Sequence, residues 1–266
     1  IIPTNYFHTT VMAAPLMGII ASVVAISIGI LYMYIALKKS LAKNETFQVV
    51  EEEAESPILK ENAPPFFLSI MPIIALIGII FAGSALDISN IVVIGLAIAV
   101  ALSAIIFHRY IPSHKATISA GADSSIKPIF LTAASVAFGV VITLAPSFEI
   151  ISNFIMNLPG NPLISLGIAT ITLSAITGSA SGGLGISMEA FADQYMAIGV
   201  NPDAMHRVST TASGVLTALP HSGTILSTFS LTGLTHENAY KYSFLSVTLP
   251  NLSALIVALI MGIFFY

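Results

Sequence analysis

The sequence predicts an all-α polytopic membrane protein. Of its 266 residues, 56% are hydrophobic and 8% carry a formal charge, whereas soluble domains run near a quarter charged. A water-facing surface cannot be built from so few charges. The charges also cluster: residues 38–61 hold four of the nine basic and six of the thirteen acidic side chains. The rest of the chain is a series of apolar segments, and two of them are interrupted by runs of Gly, Pro, Ser and Thr.

Residues 11–37 are nearly uncharged and end in Lys38-Lys39. At 1.5 Å per residue they exceed the ~30 Å hydrocarbon core, so a tilted span is expected. Residues 38–63 form a charged loop, expected to be cytoplasmic, with the run Glu51-Glu52-Glu53-Ala54-Glu55. The run reads as a solvated connector, with a regulatory or partner-binding tail as the alternative. Spans over 65–86 and 90–107, joined by a turn at Asp87, Ser89 and Asn90, make a tight hairpin. A polar stretch follows with His108, Arg109, His114, Lys115 and Lys127. Its two histidines, six apart, match no helical face or metal-ligand spacing and read as membrane-surface residues. A span over 128–146 ends at Pro146, ahead of Glu149. Positive charge marks cytoplasmic loops, and two crossings separate Lys38-Lys39-Lys43 from Arg109, Lys115 and Lys127. Both groups therefore fall on the same side.

Residues 162–200 break the pattern. The apolar run 163–176 is near 21 Å if helical, too short to cross. It stops at Thr177-Gly178-Ser179-Ala180-Ser181-Gly182-Gly183-Leu184-Gly185 and a second short run follows. This is the pattern of a re-entrant helical hairpin, whose tip must be buried in protein or line a water-filled cavity. A broken transmembrane helix is expected over 207–234. Pro220-His221-Ser222-Gly223-Thr224 interrupts it, freeing backbone groups. A full span over 240–265 closes the sequence.

The first and last spans share a layout. Asn5-Tyr6-Phe7 leads through Ala13-Ala14-Pro15-Leu16 into an apolar run, and Asn238-Ala239-Tyr240-Lys241 leads through Thr248-Leu249-Pro250-Asn251 into another. By the crossing count they run in opposite directions, which an inverted-repeat secondary transporter would produce. The chain opens Ile1-Ile2-Pro3 without an initiator Met and reads as a piece of a longer polypeptide. On that reading residues 1–37 are the last helix of a mostly missing first repeat, and 64–266 are the second.

The two interruptions carry the candidate chemistry. A helix N-terminus attracts a carboxylate through free N–H groups and a partial positive charge. Thr177, Ser179 and Ser181 add neutral donors, while Gly178, Gly182 and Gly183 let a ligand approach the backbone. His221, Ser222, Gly223 and Thr224 belong to the second break. The competing reading is packing, with Gly178 and Gly182 as a small-xxx-small contact. His221 is an intramembrane ionisable group, and imidazole changes charge near neutral pH, so it is the first candidate for ion coupling. Glu189 is the second, with Asp193 one turn on; both could instead line a solvated hairpin exit.

Other classes are excluded. No Gly-Lys-Ser/Thr ending marks a nucleotide loop, and His221-Ser222 lacks an orienting acid, so no enzyme is expected. The absence of cysteine removes thiolate chemistry and disulfides. No metal or cofactor is expected. A net charge of −4 offers nucleic acid no basic stripe.

At the hairpin and the break the sequence resembles the gluconate permease (GntP) family of bacterial proton-coupled organic-anion symporters, within the ion transporter superfamily. Ile176-Thr177-Gly178-Ser179-Ala180-Ser181 is similar to that family's Thr-Gly-Ser-Ala motif. Ala133-Ala134-Ser135-Val136-Ala137-Phe138-Gly139 is similar to its small-residue run ending in Ala-Phe, and His221-Ser222-Gly223 to its His-containing segment ending in Ser-Gly. The resemblance covers residues 64–266. It implies a permease of the bacterial inner membrane, importing gluconate or another small organic anion by symport with a proton or sodium. Pro220–Gly223 lacks the Asn and Asp residues that gluconate carriers of the family hold there, which points to a hydroxy acid or short-chain carboxylate. A passive channel or exporter, and a non-catalytic membrane subunit, are the alternatives. The expected partners are the organic anion, the cation and the lipid bilayer, with a homodimer as an open possibility.

Overall fold

The computed structural model of the chain describes residues 2–43, 45, 63–86, 88 and 90–266. Most of the charged loop expected over 38–63, with its acidic run, lies outside them, as do Asp87 and Ser89 of the expected turn. Among the described residues every regular element is a helix: α1 (Ile2–Phe7), α2 (Pro15–Ala42), α3 (Phe66–Ala85), α4 (Ile91–Ile106), α5 (His114–Thr143), α6 (Pro146–Met156), α7 (Pro162–Thr177), α8 (Ala180–Ala197), α9 (Pro202–Ser213), α10 (Gly223–Thr232) and α11 (His236–Phe265). They divide into two compact units, Glu51–Phe130 and Ile1–Val50 with Leu131–Tyr266.

In the smaller unit α3 and α4 pair through small residues. A side chain at Gly83 would run into Ile91, and one at Gly95 would meet Leu76 at 3.2 Å and Ile79 at 3.4 Å. Between apolar helices in lipid, association rests on such close approach. Most of the span expected over 128–146 lies within a longer helix, which begins at His114 and runs to Thr143. Ser113 accepts from the Ala116 N–H at 3.3 Å and so starts the helix early. Polar residues there prevent burial in lipid, not helix formation. The same corner brings His108 and His114 together, Nδ1 to Nε2 2.9 Å, with the rings stacked. That contact crosses a chain reversal and could not be read from the spacing.

In the larger unit α2 and α11 run antiparallel along each other. A side chain at Gly29 would meet the Pro250 ring at 3.4 Å, and one at Gly262 the Met17 side chain at 3.5 Å. The helix expected from 240 begins at His236, because Thr235 and Asn238 form a capping box. The first half of the helix expected over 207–234 begins at Pro202, with Asn201 accepting from the N–H groups of Asp203 and Ala204 at 2.9 and 3.1 Å. The core lies along α7, α8 and α9, where Leu166, Phe191, Tyr195 and Met205 are buried.

Three helices among the described residues, α2, α3 and α11, are long and apolar enough to cross a membrane. Their outer faces are bare hydrocarbon: Ile19 is 62% exposed, Ile30 65% and Phe264 75%. Water would not tolerate such faces and lipid requires them. The protein is a helical integral membrane protein.

Candidate functional site

Asn161 starts α7 by accepting from the Leu163 N–H at 2.9 Å, with Pro162 in the first turn where its missing N–H costs nothing. Gly178 ends α7 at φ 61°, a left-handed conformation that glycine adopts without strain. Ser179 then caps α8, accepting from the Gly182 N–H at 3.1 Å. The chain folds back at once, and a ladder of hydroxyl contacts joins the two arms. Ser165 meets the Tyr195 hydroxyl at 2.8 Å, and Thr170 meets Ser187 at 2.8 Å. The next rung is Ser174, which faces Gly183: a side chain there would collide with the Ser174 backbone and hydroxyl. The Ser174 hydroxyl is fully buried and has no partner.

The second interruption lies between α9 and α10. Residues 214–222 are turns, and Pro220 contributes no N–H. His221 Nε2 lies 3.0 Å from the Ala175 carbonyl at the end of α7. A carbonyl can only accept, so Nε2 carries the proton of that bond and Nδ1 is left with a lone pair. A side chain at Gly178 would sit 3.0 Å from His221 Cδ2 and from the Ser222 Cα. The hairpin tip and the break are therefore in contact. Ser222 is fully buried, caps nothing, and its hydroxyl also has no partner. Buried polar atoms are normally satisfied; among the described residues the Ser84, Ser174, Ser222 and Thr248 hydroxyls are buried without a partner, and Ser174 and Ser222 belong to the two segments that meet here.

The sequence candidates divide accordingly. His221, Ser222 and Gly178 come together. Thr177 donates to the Leu173 carbonyl at 2.9 Å, and Ser181 lies 3.4 Å from the capping Ser179 hydroxyl. Gly178 and Gly183 admit protein, not ligand: the room a side chain would take holds His221 and Ser222 in one case and Ser174 in the other. Gly223 and Thr224 are exposed at the start of α10. Glu189 is not brought to the tip. Ten residues beyond Ser179, it lies about 15 Å along α8 and accepts from the Tyr6 hydroxyl at 2.9 Å. Burial, and then the Glu189 carboxylate, raises the Tyr6 phenol above its ordinary pKa. Asp193 is exposed. Ser174 was missed, although Thr170 and Ser174 stand one helical turn apart on a largely apolar segment.

The chain is 29% identical to the uncharacterized transporter YxjC of Bacillus subtilis (strain 168). The match covers 96% of this chain and 62% of that protein, so the chain spans less than two thirds of its relative's length. No protein-family profile matches the chain, and no solved structure matches it significantly.

Proposed function

We propose that this protein is a secondary active transporter that imports a small organic anion, gluconate or a hydroxy or short-chain carboxylate, across the bacterial cytoplasmic membrane by proton symport. The observation that carries the reading is the contact between Gly178 and His221-Ser222, flanked by the unpartnered Ser174 and Ser222 hydroxyls. Residues 174–183 and 213–224 contain no carboxylate, lysine or arginine. An anion there would meet hydroxyls, helix-terminal N–H groups and one imidazole, with no fixed negative charge to repel it. Similarity to a protein described as a transporter supports the class. On this reading α7–α8 is a re-entrant hairpin, α9–α10 a broken helix, and α2 and α11 are mates of an inverted repeat.

The coupling follows from His221. Its Nε2–H is held by the Ala175 carbonyl, so Nδ1 is the atom free to take the transported proton. Imidazolium favours a carboxylate and a bound carboxylate favours imidazolium. Proton and anion then bind more tightly together than apart, and the coupling is reciprocal. Membrane vesicles with an imposed pH gradient test this, using a panel of labelled organic acids. Accumulation that follows the gradient is expected. Accumulation driven by sodium alone would reassign the cation, and flux that merely equilibrates would show a channel.

A further inference from the structure

The segment between α1 and α2 is a second interrupted helix, and it is built differently from the break at 214–222. Residues 8–14 make few bonds of their own: Ala13 N–H donates to the Thr10 carbonyl at 3.0 Å and Met12 N–H to the Thr10 hydroxyl at 3.2 Å. Two of these residues hold left-handed conformations without being glycine, His8 at φ 53° and Ala14 at φ 39°, and such conformations persist only where the surroundings enforce them. Ala13 and Ala14 are buried, so carbonyls freed here need donors from elsewhere.

Arg207, on α9, supplies them. Its Nε donates to the Ala13 carbonyl and its Nη2 to the Val11 carbonyl at 3.2 Å. Its neighbour His206 meets the Thr9 hydroxyl at 2.7 Å through Nδ1. Gly18 leaves room for the guanidinium, which lies 3.1 Å from where a side chain at 18 would begin. Among the described residues no carboxylate lies within 4 Å of Arg207; Asp203 is one turn away on the same helix. A half-buried guanidinium thus has backbone carbonyls as its observed acceptors, an arrangement otherwise used at broken helices to hold a free cation.

We propose that Arg207 is a positioning residue: its guanidinium is a built-in cation that holds the α1–α2 break by serving the Ala13 and Val11 carbonyls. The fork geometry matters, because a guanidinium can serve two carbonyls from fixed directions and an ammonium cannot. The proposal is independent of what the break at 214–222 binds.

The chain has no cysteine, so Val11→Cys gives a single thiol, close to valine in size, at one of the two acceptor residues. In this chain in membranes, its rate of reaction with a membrane-impermeant maleimide reports opening of the break. Arg207→Ala is expected to raise that rate several-fold, and millimolar guanidinium, but not equimolar potassium, to return it toward the parent value. Arg207→Lys should fall between them. Gly18→Leu, which blocks the guanidinium's path while keeping Arg207, should reproduce the rise; this variant and the lysine carry the test if the alanine variant fails to insert. An unchanged rate in all of them, or a rise that guanidinium does not reverse, would overturn the proposal.

Discussion

Gly183→Ala is expected to destabilise the protein although it adds a single methyl group. That methyl would fall on the Cα and N of Ser174 across the hairpin. Backbone cannot yield by changing rotamer, so the two arms must separate. Overpacking of this kind costs about 1–3 kcal/mol or more, against which alanine's better helix propensity returns at most about 1 kcal/mol. Gly78→Ala is the matched control: it lies in the middle of α3 with nothing within 4 Å of the added carbon, and should be neutral or gain about 0.5–1 kcal/mol. Thermal unfolding in detergent reads both, at roughly 2–4 °C per kcal/mol for a chain of this size. A Gly183→Ala protein as stable as the parent would remove the α7–α8 contact on which the site depends.

His221→Gln should separate binding from energy coupling. Glutamine keeps an N–H that can donate to the Ala175 carbonyl but cannot take up a proton. Exchange of internal for external substrate should survive in part, because it needs the site and no net proton movement. Accumulation driven by a pH gradient should vanish. In the parent, uptake should decline as rising external pH removes the inward proton gradient, and the variant should lose that dependence. If His221→Gln still concentrates substrate in response to a pH gradient, His221 is not the coupling residue and Glu189 becomes the candidate to test.

The hairpin tip and the break were legible because their causes are local. Gly178 at positive φ, the Ser179 cap and Pro220 each act within a few residues of themselves. Membrane character was legible because composition alone decides it. What the sequence concealed is which polar groups remain after local bonds are made. Thr177 and Ser179 look like ligand donors in the sequence, yet they are engaged by their own helices. Ser174 looks like an ordinary helical serine and is left over because Gly183 faces it. The role of Arg207 was hidden for a related reason, since its acceptors lie more than 190 residues away. The span expected over 128–146 left the start of α5 at His114 open, because charge decides what may be buried in lipid and not where a helix begins.

Whether the tip and the break form one binding site is tested most directly by substrate protection. Ser174→Cys and Ser222→Cys, each the sole thiol in the chain, are modified with a small methanethiosulfonate reagent, with and without the anion that the uptake assay identifies. That anion is expected to slow modification at both positions, with the same concentration dependence, and to leave a thiol at Gly78 on α3 unaffected. A transported anion that protects neither position, or protects one while the other reacts at its full rate, would contradict a shared site.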